Sequence, residues 1–114
     1  LCKSGTTTLE AALAGTPQVV AYRLNALSYR LARRLVRVPW IGLVNLVAGR
    51  QIAPEFVQED ARPDVLAEAV LPLLDPASPE RRAQLEGLVE VRRRLGGPGA
   101  AGRAAALACE LLAA

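Results

Sequence analysis

A short polar segment near the start of the chain, SGTTTLE at residues 4–10, restricts the fold more than any other feature. It leads into an apolar run that ends at Gly15, a residue that readily adopts the left-handed conformation of a helix C-cap, and Pro17 is a second stop signal. Residues 18–22 then have the composition of a β-strand, and residues 1–2 that of the end of an earlier strand. The order strand, loop, helix, strand predicts an α/β fold.

This loop supports two interpretations. Unpaired backbone N–H groups collect at the positive end of a helix and suit a phosphate, which makes Ser4, Gly5, Thr6 and Thr7 candidate phosphate ligands. The same residues also fit a capping box, in which Thr7 is the N-cap and Glu10 reaches back to its N–H group. The pattern alone does not choose between them and names no enzyme.

The charge of the 114-residue chain is unevenly distributed. Residues 1–54 contain seven basic side chains and one acidic side chain, a net charge of +6, whereas residues 55–114 have a net charge of −3. The basic half favours an anionic partner, such as a nucleotide, a lipid phosphate, a membrane surface or a nucleic acid.

The composition argues against a metal site and against a membrane-spanning helix. The chain has no histidine, and Cys2 and Cys109 fit no metal-binding spacing, so we expect no metal site and two small buried thiols. No apolar run approaches the roughly 18 residues that a membrane-spanning helix needs. Because the sequence starts inside an element, we expect it to be a piece of a longer protein.

A basic helix is predicted from Asn25 or Ser28 to about Val36, with leucines every fourth residue on its buried side. Its opposite face is formed by four arginines at positions i, i+3, i+4 and i+7: Arg30, Arg33, Arg34 and Arg37. Such a face followed by Trp40 resembles a helix that lies on a membrane surface. The alternative is an ordinary solvated face.

Two further polar segments follow. Residues 40–44 are predicted to form a short buried strand that runs into a loop containing Asn45 and Arg50. Ligands of open α/β sheets bind beyond the carboxyl ends of strands, so this loop is a candidate ligand site. The alternative is that Asn45 bonds its own turn and Arg50 lies in water. Residues 54–60 are predicted to be a second loop or a very short strand that ends in polar groups.

Three helices are predicted in the remainder of the chain. They span about 63–74, then 78 or 79 to 95 with a Glu90–Arg94 pair, and finally 101–112 with one apolar side.

Taken together, the segments resemble the C-terminal part of the lipid-A-disaccharide synthase family, bacterial glycosyltransferases of the GT-B type. The matching segments are SGTTTLE at 4–10, VAYR at 20–23, LARRLV at 31–36, NLVAGR at 45–50 and PEFVQED at 54–60. The resemblance implies that residues 1–74 are part of a Rossmann-like UDP-sugar-binding domain and that residues 75–114 are C-terminal helices.

The resemblance also implies an activity. A hexosyltransferase of this family would transfer 2,3-diacylglucosamine from UDP to 2,3-diacylglucosamine 1-phosphate and release UDP and the β-1,6-linked lipid A disaccharide, without a cofactor. It would work in the cytoplasm, peripherally on the inner face of the bacterial inner membrane, and it could dimerise through the C-terminal helices. The general base is expected in the half that this sequence lacks, so the chain alone should bind substrate without turning it over.

Site roles follow from the same resemblance. The diphosphate would lie on Ser4, Gly5, Thr6 and Thr7, and the ribose hydroxyls would donate to Glu10. Substrate contacts are expected from Asn45, Arg50 and Gln58, and membrane contacts from the four arginines and Trp40.

Two other functions remain open at this point. One is another UDP-sugar enzyme of GT-B type, such as an epimerase or a peptidoglycan-type transferase, although the segments after residue 45 argue against it. The other is a non-catalytic membrane-surface or nucleic-acid-binding module built on the basic helix. Nucleic acid is disfavoured because Tyr29 is the only aromatic residue within the basic stretch and no recognition motif is present.

Overall fold

The computed structural model of the chain describes residues 1–25, 29–30 and 38–113. Within them lies a parallel sheet of three strands in the order β1-β2-β3, which are Cys2–Lys3, Val20–Tyr22 and Glu55–Val57. The helices are α1 (Thr7–Leu13), α2 (Leu43–Ala48), α3 (Pro63–Leu74), α4 (Pro79–Leu95) and α5 (Ala100–Ala113), with a 3₁₀ turn at Gln58–Asp60. The predicted α/β class is confirmed, as are the three C-terminal helices.

The predicted end of α1 is confirmed in detail. Gly15 has a φ of 66°, in the left-handed region. The N–H group of Thr16 donates to the carbonyl of Ala11 at 2.9 Å, and that of Gly15 to the carbonyl of Ala12 at 3.0 Å. This pair of bonds is a Schellman motif, which turns the chain back so that β2 can pair in parallel with β1.

The predicted strand at residues 40–44 is wrong, because this apolar run begins helix α2 instead. Gly42 is its N-cap, in an extended conformation, and Gly49 ends it with a φ of 68°. The carboxylate of Glu55 accepts the N–H groups of Ile41 and Gly42, each at 2.8 Å. Short apolar runs do not distinguish a buried strand from a buried helix, so this long-range contact was not visible in the periodicity.

One apolar core joins the first βαβ unit to α4. Its buried residues are Ala12, Val20, Val44, Ala48, Ala53, Leu88 and Val91. Helix α4 approaches closely because residue 87 is glycine: a Cβ there would lie 2.7 Å from Cγ2 of Ile52. Although α4 follows the predicted boundary at residue 74, it contributes to the same core as α1 and α2.

Helix α4 is also joined to the first βαβ unit by a buried pair of glutamine residues. The Gln84 side chain accepts the N–H of Gln18 at 2.6 Å and donates to its carbonyl at 2.9 Å. The Gln18 amide nitrogen in turn donates to the carbonyl of Thr8 at 2.9 Å. These bonds fix the position of α1 relative to α4.

Helix α5 differs from the others because none of its residues is buried. Leu107, Leu111 and Leu112 on its predicted apolar side are 61%, 80% and 88% exposed. Cys109 on this helix is exposed and Cys2 only half-buried, so the prediction of two buried thiols is wrong.

Most of the predicted basic helix lies outside the described residues, including Arg33, Arg34 and Arg37. Tyr29 and Arg30 are helical, and Arg30 is exposed. In the described ranges of the chain, no helix combines the length and the apolar character needed to cross a bilayer.

Candidate functional site

The three strands end at a common edge. Lys3 is the last residue of β1, Tyr22 of β2 and Val57 of β3, and the register pairs Tyr22 with Val57. Residues that follow the strands therefore share the carboxyl edge of the sheet: the loop at residues 4–6, Arg23 and Gln58. Ligands of open α/β sheets bind at this edge.

The loop from β1 to α1 exposes hydrogen-bond donors at this edge. Gly5 has a φ of 123°, a conformation that favours glycine, and no atom lies within 4 Å of the position of a Cβ. The N–H groups of Thr8 and Leu9 bond back to the carbonyls of Gly5 and Thr6. Within the described part of the chain, the N–H groups of Thr6 and Thr7 have no partner, and both residues are exposed. Two backbone donors and two hydroxyl groups are thus available to an anion.

The loop is held in place by two hydroxyl groups. Thr8 is completely buried; its hydroxyl donates to the carbonyl of Gly5 at 2.9 Å and accepts the N–H of Val44 at 3.3 Å. The Ser4 hydroxyl donates to the carbonyl of Ile41 at 3.1 Å. Ser4 therefore anchors the loop to residues 41–44, and its hydroxyl proton is already committed within the protein.

The interpretation of residues 7–10 as a capping box is wrong. Helix α1 begins at Thr7, its N-cap is Thr6, and no side chain forms a cap hydrogen bond. Glu10 is exposed on the first turn of the helix. Its carboxylate is therefore free to accept hydrogen bonds from hydroxyl groups of a ligand.

Asn45 does not line the edge. Its side chain is completely buried in α2 and makes four hydrogen bonds within the protein. The amide nitrogen donates to the carbonyl of Ala53 and to Glu55, both at 2.8 Å, and the oxygen accepts the N–H groups of Ile52 at 2.7 Å and Ala53 at 2.9 Å. All of its hydrogen-bonding capacity is used, so direct contact with a substrate does not fit this geometry. Asn45 instead fixes the turn between α2 and β3.

Glu55 is a residue that the sequence analysis missed. Its carboxylate, on β3, accepts hydrogen bonds from Ile41, Gly42 and Asn45 and so joins the sheet to the segment that supports the loop. An acidic residue inside a short apolar strand was the available signal, because a half-buried carboxylate requires donors.

Arg50 lies against α4. Its guanidinium bonds the carboxylate of Glu90 at 3.0 Å, and the predicted Glu90–Arg94 pair is confirmed at 2.6 Å. Hydrogen bonds from Arg50 and then Arg94 hold the pKa of Glu90 below its ordinary value. A substrate contact of Arg50 stays a prediction.

Gln58 lies at the edge in an unusual conformation. Its φ of 57° is the only positive value among the described residues other than glycine. The side chain accepts the N–H of Leu24 at 2.6 Å and donates to its carbonyl at 3.0 Å. Its own carbonyl accepts Nε of Arg23 at 3.1 Å. Gln58 thus ties the ends of β2 and β3 together.

A cavity of about 660 Å³ opens beside this edge. Its wall includes Tyr22, Tyr29, Trp40, Val57 and Glu55. Trp40 is half-buried in this wall; its predicted contact with a membrane stays a prediction.

The family model described as lipid-A-disaccharide synthetase matches residues 1–95. The chain belongs to this family. Curated relatives named lipid-A-disaccharide synthase agree: the chain is 49% identical to the one from Syntrophus aciditrophicus and 51% identical to the one from Anaeromyxobacter dehalogenans, over 96% and 88% of its length. It spans 28% and 26% of those two relatives.

Membership of the lipid-A-disaccharide synthase family confirms the resemblance drawn from the five segments. The match includes the exposed loop, the Asn45–Glu55 network and all of α4. It stops before α5, the helix without buried residues.

Proposed function

We propose that this chain is the nucleotide-binding part of a hexosyltransferase that makes the lipid A disaccharide. The donor is UDP-2,3-diacylglucosamine, the acceptor is 2,3-diacylglucosamine 1-phosphate, and the products are the β-1,6-linked disaccharide and UDP. The observation that supports it is a family match over residues 1–95 that includes a loop with free donors at the carboxyl edge of a parallel sheet. In this proposal the sheet and helices belong to the Rossmann-like half of a GT-B enzyme.

The diphosphate lies on the loop in this proposal. Thr6 and Thr7 offer N–H and hydroxyl donors, Gly5 allows the backbone to approach, and Ser4 holds the loop. These donors stabilise the negative charge that grows on the diphosphate as the glycosidic bond breaks. Glu10, one helical turn further on, accepts hydrogen bonds from the ribose hydroxyls.

The remaining polar residues are proposed either to support the loop or to border the substrate. Asn45 and Glu55 keep residues 41–44 against the loop, while Arg50 and Gln58 are proposed to border the substrate. The general base is proposed to lie elsewhere in the protein, and the transfer uses no cofactor.

UDP titration and product formation test this proposal directly. In the full-length protein, calorimetry should show UDP binding, and donor plus acceptor should yield disaccharide and UDP. Binding of UDP without disaccharide formation would contradict the transferase assignment, and absence of UDP binding would contradict the site.

We also propose that the protein acts peripherally at the cytoplasmic face of the inner membrane. Its substrates have acyl chains, and each arginine near an anionic bilayer adds about 1 kcal/mol of attraction. Full-length protein should sediment with anionic vesicles at low salt and leave them at high salt. Replacement of Arg30, Arg33, Arg34 and Arg37 by glutamine should abolish sedimentation and leave UDP affinity unchanged. Normal sedimentation of this variant would assign the membrane contact to another surface.

A second copy of the chain is the proposed partner of α5. The exposed leucines of this helix support the proposal, because a row of apolar side chains in water favours association. Sedimentation equilibrium of the full-length protein and of a Leu107→Ser/Leu111→Ser variant tests it: the dimer should dissociate in the variant.

A further inference from the structure

Arg23 has no role in the proposed function, yet the structure holds it in a defined position at the carboxyl edge. It follows β2 directly and is exposed. Its Nε donates to the carbonyl of Gln58 at 3.1 Å, which anchors the side chain at its inner nitrogen. The outer edge of the guanidinium has no partner among the described residues, and none of the ion pairs found there includes Arg23.

The residue that anchors Arg23 is itself held in a costly conformation. A left-handed backbone at a residue other than glycine persists only where surrounding contacts impose it, and such residues cluster at functional sites. Here the imposing contacts are the two hydrogen bonds between the Gln58 amide and the backbone of Leu24. They fix the end of β2 next to Arg23, while the Gln58 carbonyl accepts both Nε–H of Arg23 at 3.1 Å and the N–H of Ala61 at 3.2 Å.

An arginine fixed in this way is suited to a phosphate. The planar guanidinium offers a fork of N–H donors that matches two phosphate oxygens, and anchoring through Nε leaves the outer nitrogens free. Holding the side chain in advance also reduces the entropy that binding must overcome.

Distance separates this arginine from the diphosphate loop. The loop follows β1, the first strand of the sheet, whereas the guanidinium leans toward the end of β3, the third strand. Adjacent strands are roughly 4.8 Å apart, so these two points are on the order of 10 Å apart. The loop already offers a diphosphate the N–H and hydroxyl donors of Thr6 and Thr7. The anchored guanidinium at the far side of the edge is therefore available for a second phosphate.

We propose that Arg23, positioned by Gln58, binds the phosphomonoester of the acceptor sugar. This inference rests on the proposed function, in which the acceptor has a 1-phosphate and the transferred sugar separates it from the diphosphate. Gln58 is then a positioning residue, and its predicted place near the substrate is explained by its bond to Arg23.

The test compares variants with matched substrates in the full-length protein. Arg23→Gln should raise the KM for the acceptor at least tenfold and change the Kd for UDP less than twofold. Arg82→Gln, which removes an exposed arginine on α4, is the control and should change neither value. Gln58→Ala should also raise the acceptor KM, because Leu24, the neighbour of Arg23, loses both of its hydrogen bonds to the Gln58 side chain.

An acceptor without its phosphate completes the design. With this substrate, wild type and Arg23→Gln should turn over at equal rates, because the contact is absent in both. A difference in turnover between the two proteins with this substrate would overturn the proposal. An unchanged KM of Arg23→Gln for the phosphorylated acceptor would also overturn it. Weaker UDP binding with a normal acceptor KM would also overturn it and assign Arg23 to the donor diphosphate. Failure of wild type to bind UDP would instead contradict the proposed function.

Discussion

The loop at residues 4–10 leaves polar groups open to solvent, whereas the segment at residues 41–58 uses most of its polar side chains inside the protein. In the loop, Thr6, Thr7 and Glu10 are exposed, and no side chain caps the helix. In the segment, the side chains of Asn45 and Glu55 form hydrogen bonds with nearby backbone groups.

The difference separates groups that contact a ligand from groups that hold them in place. An exposed polar group with unused hydrogen-bond donors or acceptors can bind a substrate without losing a bond within the protein. A buried group whose donors and acceptors are all paired cannot. The link between the regions is direct, because Ser4 and Thr8 bond to Ile41 and Val44. The part of the second region around Asn45 and Glu55 therefore supports the loop.

Asn45→Ala should break the support and produce the largest effect. The substitution removes the partner of the Ile52 and Ala53 N–H groups and of the Ala53 carbonyl, and each unsatisfied buried group costs about 1–3 kcal/mol. We expect a loss of about 3 kcal/mol or more in the free energy of unfolding, measured by urea denaturation.

A neighbouring exposed residue provides the control for Asn45. Gln51→Ala should change the free energy of unfolding by no more than about 0.5 kcal/mol. If Asn45→Ala lowered turnover tenfold with unchanged stability, Asn45 would belong with the ligand-contacting groups and the comparison would fail.

Thr8→Val tests the link between the two regions. Valine keeps the shape of threonine but removes the hydroxyl that bonds Gly5 and Val44, so we expect a loss of about 1–3 kcal/mol in stability together with weaker UDP binding. Thr8→Ser, which keeps the hydroxyl, should retain UDP affinity. Equal UDP affinity in the valine and serine variants would show that the loop does not depend on this link.

A pH experiment on Glu90 should give the smallest effect. Hydrogen bonds from Arg50 and Arg94 lower its pKa in the folded state, so the ionised carboxylate stabilises the fold above the ordinary pKa of about 4.5. That stabilisation disappears as the pH falls through the lowered folded value. The urea midpoint of Glu90→Gln should thus lie below that of wild type at pH 7, and the gap should close at low pH. A gap of equal size at both pH values would contradict the ion pair's contribution.

Local signals in the sequence predicted several elements well. Gly15 and Pro17 marked the end of α1, and Ser78 with Pro79 marked the start of α4, where the Ser78 hydroxyl accepts the N–H of Arg81 at 3.0 Å. Such signals lie within a few residues of the structure that they specify. They act through backbone geometry and need no distant partner.

Contacts between distant segments could not be predicted in the same way. Residues 40–44 were expected to form a strand, but they lead into helix α2, because the Glu55 carboxylate accepts the N–H groups of Ile41 and Gly42. The role of Asn45 depends on the turn that folds back over it, and nothing in its own neighbourhood distinguishes a buried amide from a ligand-binding one. The apolar side of α5 was equally visible in the pattern, but a periodicity does not identify the surface that covers it.

The most direct test of the central claim is a UDP titration of Glu10→Ala in the full-length protein. Glu10 is exposed and takes no part in capping α1, so its removal should leave the melting temperature unchanged. UDP affinity should fall at least tenfold, about 1.4 kcal/mol, because the ribose hydroxyls lose their acceptor. Glu86→Ala, which removes an exposed carboxylate on α4, is the matched control and should bind UDP as wild type does. Wild-type UDP affinity in Glu10→Ala would contradict the division between an exposed binding loop and its buried support.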